Sequence, residues 1–136
     1  MGFSVKDKTT IVDFLVQELN PKIIYLYGSF ARKEERADSD IDLAFYGGLS
    51  KSPYELLMLA NQLASHLRRD VDLVNLQATS TVFQAQVVST GEILFLQDEV
   101  LRANYEIRVY KEYAMLNRER KPILDRIREE GSIYGI

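Results

Sequence analysis

Two aspartates one residue apart, Asp40 and Asp42, open a largely apolar run that ends at Tyr46. A strand sends alternate side chains to one face, so this spacing predicts two carboxylates pointing the same way. At about 4 Å and an effective dielectric of about 20, two such charges repel by roughly 4 kcal/mol. A divalent cation removes that repulsion, and an oxygen-rich carboxylate site suits Mg²⁺. Gly28-Ser29 stands ten residues ahead of the pair, at the end of the apolar run Ile23 to Tyr27. Glycine lets backbone N–H groups approach a phosphate, and a helix starting near Phe30 adds unpaired donors and a positive dipole end. Metal and phosphate chemistry together point to a nucleotide.

A third carboxylate completes the set. Asp72 lies between Val71 and Leu73 in the run Asp70 to Leu76, a poor place for an unpaired charge. If that strand neighbours the second, Asp72 faces Asp40 and Asp42. Three carboxylates can hold two Mg²⁺ ions about 4 Å apart, one lowering the pKa of an attacking hydroxyl and one holding phosphates. Asp72 is then best placed to take the proton. Other candidates carry less. Arg32 can touch a triphosphate or pair with Glu34 or Glu35. Asp70 shares a face with Asp72 but, at a strand start, reads as solvated. His66, the single histidine, sits on a polar helix edge and reads as a surface residue.

The elements that must position these residues follow from periodicity. Ile11, Phe14, Leu15 and Leu19 give a helix over 4–19 that Asn20-Pro21 ends. The strand at 22–27 is apolar on both faces, which predicts a covered, central position. A short helix is expected over 30–36, then a loop and a strand over 40–46 closed by Gly47-Gly48. Ser52, Pro53 and Glu55 form a capping box with proline at the first helical position. Leu56, Leu59, Ala60, Leu63 and Leu67 are that helix's buried stripe. Residues 70–76 make a third strand, Thr81 with Gln84 caps a helix that Gly91 stops, and 93–96 make a fourth strand.

A long helix runs from Asp98 to about Glu119, where Lys121-Pro122 interrupts it; 123–129 add a turn or two and Gly131 to Ile136 reads as loose. It carries two apolar stripes, Ala103-Ile107-Tyr110-Ala114 and Leu101-Tyr105-Val109-Tyr113-Leu116. That is wider than one packing face needs, so its tyrosines are either partner face or core. The expected class is α/β: a small mixed sheet with packed helices. At 136 residues one domain is expected, with a core over about 4–97 and a helical segment over about 98–129.

Composition excludes several classes. No run of about 18 apolar residues predicts a membrane span, and Met1 to Thr10 lacks the apolar stretch of a signal peptide. With no cysteine there is neither disulfide nor thiolate zinc site, and a cytoplasmic location is expected. A net charge of −3 argues against direct nucleic-acid binding, and Arg118, Arg120 and Lys121 read as a solvated helix end.

Gly28-Ser29, ten residues, Asp40-x-Asp42 and Asp72 in a later strand resemble the polymerase-β-type nucleotidyltransferases. The segment from Tyr27-Gly28-Ser29-Phe30-Ala31-Arg32 through Asp38-Ser39-Asp40-Ile41-Asp42-Leu43 is especially similar to their minimal form, the MNT proteins, and the likeness covers nearly the whole chain. MNT proteins are commonly antitoxins paired with HEPN-type RNase toxins. The resemblance therefore implies transfer of AMP from ATP to a tyrosine of a toxin, within a hetero-oligomer. Carried over, Ser29 and the Gly28 turn hold the phosphates, Asp40 and Asp42 bind both Mg²⁺ ions, and Asp72 binds the catalytic ion and acts as base. Larger relatives have a further domain for base and acceptor, for which this chain has no room, so acceptor choice falls to a partner surface. Two alternatives remain: an antitoxin that blocks its toxin by contact alone, and a small-molecule nucleotidyltransferase that works with a separate substrate-binding subunit.

Overall fold

A computed structural model describes residues 4–28 and 40–131 of the chain. The expected helix over 30–36, with Ser29, Arg32, Glu34 and Glu35, lies outside the described residues. In chain order the elements are α1 (Val5–Leu19), β1 (Ile23–Tyr27), β2 (Ile41–Tyr46), α2 (Pro53–Leu67), β3 (Val71–Asn75), α3 (Thr81–Thr90), β4 (Glu92–Leu96) and α4 (Glu99–Gly131). A single 3₁₀ turn, Leu76–Ala78, joins β3 to α3. The strands form one mixed sheet in the order β3-β2-β1-β4. β1 runs antiparallel to both its neighbours, and β2 pairs parallel with β3.

Local chemistry sets most boundaries. The Ser52 hydroxyl accepts from the Glu55 N–H at 3.1 Å while Glu55 accepts from the Ser52 N–H at 2.9 Å, with Pro53 at the first helical position. This is the expected capping box. The same device starts α1, with Ser4 and Asp7. At α3 the cap is Ser80, which accepts from Phe83 N–H at 3.1 Å. The expected pairing of Thr81 with Gln84 does not form; Thr81 is already helical, and the Gln84 amide turns back to donate to the Thr79 carbonyl. The long helix also departs from expectation, because α4 runs through Pro122 to Gly131. Proline removes one ladder bond and crowds the preceding turn. The strong helix formers on either side, including Arg118, Glu119 and Lys121, carry the helix across it.

Helices cover both faces of the sheet. Ile11, Leu15 and Leu19 of α1 and Leu59, Ala60 and Leu63 of α2 pack against Ile24, Leu26, Ile41, Leu43, Phe45 and Leu73. On the other face, Ala85 and Val87 of α3 and Tyr105 and Val109 of α4 meet Ile23, Tyr25, Ala44 and Leu76. β1, buried along its first four residues, is the central strand its composition predicts. Among the described residues no helix is long and apolar enough to cross a membrane.

The two apolar stripes of α4 separate cleanly. Tyr105 and Val109 are buried, with Leu101 and Tyr113 packed beside them. Tyr105 stacks on Tyr46 with ring centroids 3.9 Å apart, and its hydroxyl donates to Gln84 Oε1 at 2.9 Å. Tyr25 donates to Glu106 Oε2 at 2.6 Å, and Arg102 Nη1 holds the other oxygen of that carboxylate at 3.0 Å. Burial and the Glu106 carboxylate push the Tyr25 hydroxyl far above the usual tyrosine range, so it remains a donor. The second stripe faces solvent, with Ile107 52% and Tyr110 44% exposed. Tyr105 is therefore core, and Ile107 and Tyr110 are exposed. Tyr105→Ser is expected to lower stability by about 3 kcal/mol or more, and Tyr110→Ser to change it by about 0.5 kcal/mol at most. Urea-unfolding midpoints of the two variants check this.

Candidate active site

The parallel pairing of β2 with β3 places Asp42 directly opposite Asp72. On its other side Asp42 lies opposite Tyr27, the last residue of β1. Tyr27, Asp42 and Asp72 thus form one row across three strands. Side-chain alternation puts the row on the face covered by α3 and α4, since Ala44 and Tyr25 of that face lie two residues from Asp42 and Tyr27. Asp40, two residues before Asp42, precedes β2 at the same end of the sheet and is exposed. Asp42 is half-buried.

Asp72 corrects one expectation. Its neighbours in sequence suggest a buried charge, yet it is exposed. β3 is an edge strand, so a residue in its middle still reaches water. Asp72 also lines an open groove of about 380 Å³ along that edge, together with Leu56, Leu57, Val74 and Asn75.

Gly28 has two reasons to be glycine. Its φ is +73°, a left-handed conformation that other residues enter at a cost. A Cβ at this position would also collide with Asp42 Oδ2. The turn residue and the carboxylate therefore share one small space, and the absence of a side chain at 28 lets Asp42 lie against the backbone. The expected roles of Ser29 and Arg32 fall outside the described residues.

Tyr27 is the residue that sequence reasoning passed over. Burial and the nearby charges of Asp72 and Asp42 push its hydroxyl well above the usual tyrosine range. Its ring meets Phe83 of α3 edge-on, with centroids 5.4 Å apart. The available signal was a polar-tipped aromatic at the end of a covered strand, immediately before the glycine turn. The remaining candidates fall away from the row. Asp70 is exposed, and only its backbone carbonyl is engaged with β2, accepting from Ile41 N–H at 2.9 Å. His66 is exposed on α2 beside Phe14. Arg118 and Lys121 are exposed on α4.

Gly28→Ala is expected to lose about 1–3 kcal/mol from the strained backbone alone, with a further loss from displacing Asp42. Adding Asp42→Ala should recover the second part and leave the first, which thermal unfolding of both variants measures. Equal melting temperatures for the single and double variants would show that the two residues do not share space.

Known proteins match this chain in sequence and fold. The family described as polymerase beta, nucleotidyltransferase matches residues 9–100. The protein adenylyltransferase MntA of Shewanella oneidensis is 36% identical over 115 residues, covering 82% of this chain and 81% of that protein. Among solved structures, a chain of a toxin–antitoxin complex with AMP-PNP superposes with a TM-score of 0.81 at 31% identity, covering 88% of this chain and 97% of that one. A chain from the complex of tri-AMPylated Shewanella oneidensis HEPN toxin with MNT antitoxin does so with a TM-score of 0.75 at 30% identity, covering 90% and 96%.

Proposed function

The chain belongs to the polymerase β nucleotidyltransferase family, and from that premise we propose that it is an antitoxin protein adenylyltransferase, moving AMP from ATP onto a tyrosine of a HEPN-type toxin and so neutralising it. The observation that carries the chemistry is Asp42 opposite Asp72 in the register of β2 and β3, beside the Gly28 turn. The choice of nucleotide and acceptor is supported by relatives that bear the name protein adenylyltransferase, hold AMP-PNP or accompany an AMPylated toxin. In this reading the chain is one minimal nucleotidyltransferase domain, with its core over about 4–97 and a helical segment over about 98–129. It works in the cytoplasm in a hetero-oligomer with its toxin.

Asp40, Asp42 and Asp72 are the residues that would hold Mg²⁺. They supply only hard oxygen donors, and Asp40 and Asp72 are open to solvent. Among the described residues no three acidic, histidine or cysteine side chains close into a metal cage. Mg²⁺ binds through one or two carboxylates completed by substrate phosphates and water. When bound with ATP, two such ions would neutralise the phosphates and lower the pKa of the attacking hydroxyl.

The rest of the chemistry belongs to the chain. Gly28 and Ser29 are the residues that would meet the phosphates, and Arg32 is a further candidate for that role. The acceptor tyrosine oxygen forms a bond to the α-phosphorus, the bond from that phosphorus to pyrophosphate breaks, and the phenolic proton passes to Asp72. An ordinary tyrosine pKa of about 10 makes a proton acceptor necessary at neutral pH. The groove beside Asp72 is open, and two more apolar side chains, Tyr54 and Met58, are exposed on α2. Such a surface favours a protein acceptor over a small molecule, which is ordinarily enclosed on most of its surface.

ATP with Mg²⁺ is expected to stabilise the fold. At a ligand concentration about a hundred times Kd the gain is about 2.7 kcal/mol, a melting shift on the order of 10 °C for a domain of this size. No shift with both at millimolar concentration would argue against an intact site.

A second experiment separates enzyme from blocker. Asp40→Asn with Asp42→Asn hardly changes side-chain volume and leaves α4 untouched, so the variant should co-purify with the toxin. The loss of two charges at the phosphates should slow transfer by several powers of ten, each about 1.36 kcal/mol of barrier. At matched expression the toxin should carry no added AMP by mass, and growth should not be rescued. Full rescue with an unmodified toxin would establish a blocking antitoxin, and label passing from ATP to an added small molecule would establish the remaining alternative.

A further inference from the structure

Tyr27 needs an explanation that packing does not supply. Phenylalanine would fill the same space against Phe83, and the neighbouring surface holds two carboxylates, Asp42 half-buried and Asp72 exposed. The hydroxyl therefore has a polar task. Tyr27 and Asp72 flank Asp42 in one cross-strand row. Two strand spacings separate their backbones, about 9.6 Å, a span that a tyrosine and an aspartate side chain cover between them. The ring is fixed from outside the sheet. Phe83 meets it edge-on at 5.4 Å, and Phe83 is itself placed by the Ser80 cap at the start of α3. A chain of contacts thus runs from the α3 cap through two aromatic rings to the row that Asp72 ends at the sheet edge.

From this geometry we propose that Tyr27 is a positioning residue for Asp72, its hydroxyl occupying one carboxylate oxygen so that the other is presented to the incoming nucleotide and its cation. The inference rests on the proposed function for the identity of the nucleotide. It concerns how Asp72 is held, which is separate from what is transferred. An aspartate on an exposed edge strand has free rotamers and competing water. A donor aimed from the central strand selects one orientation before substrate arrives, in the way that supporting hydrogen bonds orient metal-ligating groups elsewhere.

The test is a double-mutant cycle on the full chain, with AMP-PNP and Mg²⁺ as the probe. Calorimetry gives AMP-PNP affinity at fixed Mg²⁺ for wild type, Tyr27→Phe, Asp72→Asn and the double variant. Tyr27→Phe should weaken binding about 10–100-fold when Asp72 is present, the usual cost of losing a supporting hydrogen bond. In the Asp72→Asn background the same change should cost at most about twofold, since the two residues act as one unit. In transfer assays kcat should fall while KM for the acceptor protein stays constant, a split that loss of general stability does not produce. An equal factor in both backgrounds, with or without a lowered melting temperature, would assign Tyr27 to packing and overturn the proposal. So would a Tyr27→Phe protein that binds like wild type. A wild-type protein that binds no AMP-PNP with Mg²⁺ would overturn the proposed function and this inference with it.

Discussion

The register between β2 and β3 is the constraint on which the site depends. It sets Asp42 against Asp72, an arrangement that electrostatics alone opposes. At about 5 Å and an effective dielectric of about 20, two carboxylates repel by about 3 kcal/mol, lessened by water at the exposed Asp72. What holds them is on the opposite face. Ile41, Leu43, Phe45 and Leu73 are buried against α1 and α2, and each such side chain contributes about 1.5–3 kcal/mol by leaving water. A slip of one residue would turn every one of them to the wrong face. The apolar face therefore outweighs the repulsion severalfold, and the charged face is carried along by side-chain alternation. α2 has a further part, because parallel strands need a crossover connection. Its two-way Ser52–Glu55 cap and its buried Leu59, Ala60 and Leu63 fix where β3 begins.

The face that bears the carboxylates is organised differently. α3 and α4 do not seal it with aliphatic packing alone. Tyrosines with satisfied hydroxyls join the layers: Tyr25 to Glu106, Tyr105 to Gln84, and Tyr46 stacked on Tyr105 and bonded by Arg108 at 3.1 Å. A tyrosine gives both a large apolar surface and a directional bond. Those bonds fix α4 along the sheet where smooth aliphatic contacts would permit sliding. Arg102 strengthens the arrangement by pairing with both Glu99 and Glu106, one turn of helix apart on either side.

Much of this was legible in the sequence, for physical reasons that differ by element. α1, α2, β1 and β2 announced themselves because burial imposes a period on the residues that must be inside, and because Ser52-Pro53-Glu55 is a local device that needs no tertiary context. The carboxylate face was legible for the same reason, since period two fixed Asp40 and Asp42 to one side. Several things were not. The exposure of Asp72 depends on β3 lying at the sheet edge, which Val71 and Leu73 do not encode. The continuation of α4 through Pro122 reflects a balance between one proline and many good helix formers, and a local rule weighs only the proline. Which stripe of α4 is core could not be read, because Tyr105 and Tyr110 are the same residue type and only packing against Tyr46 and Gln84 distinguishes them. Tyr27 was missed because an aromatic in a covered strand is ordinarily packing, and its second role exists only once Asp42 and Asp72 lie beside it.

The placement of these features separates two tasks in space. The carboxylate row and Gly28 belong to the sheet end where β1 finishes and β2 begins, held by the best-buried strands of the molecule. Ile107 and Tyr110 lie exposed on a helix whose opposite side is core. That stripe can be covered or changed without altering the register that sets Asp42 against Asp72, because the register is held by buried contacts on the opposite face of the sheet. The carboxylate row therefore gains rigidity from the core, while the exposed stripe can change in sequence at little cost in stability. A charge in the row has no such freedom. It is fixed on one side by the glycine turn and on the other by the strand pairing, so neither its position nor its partner can vary alone.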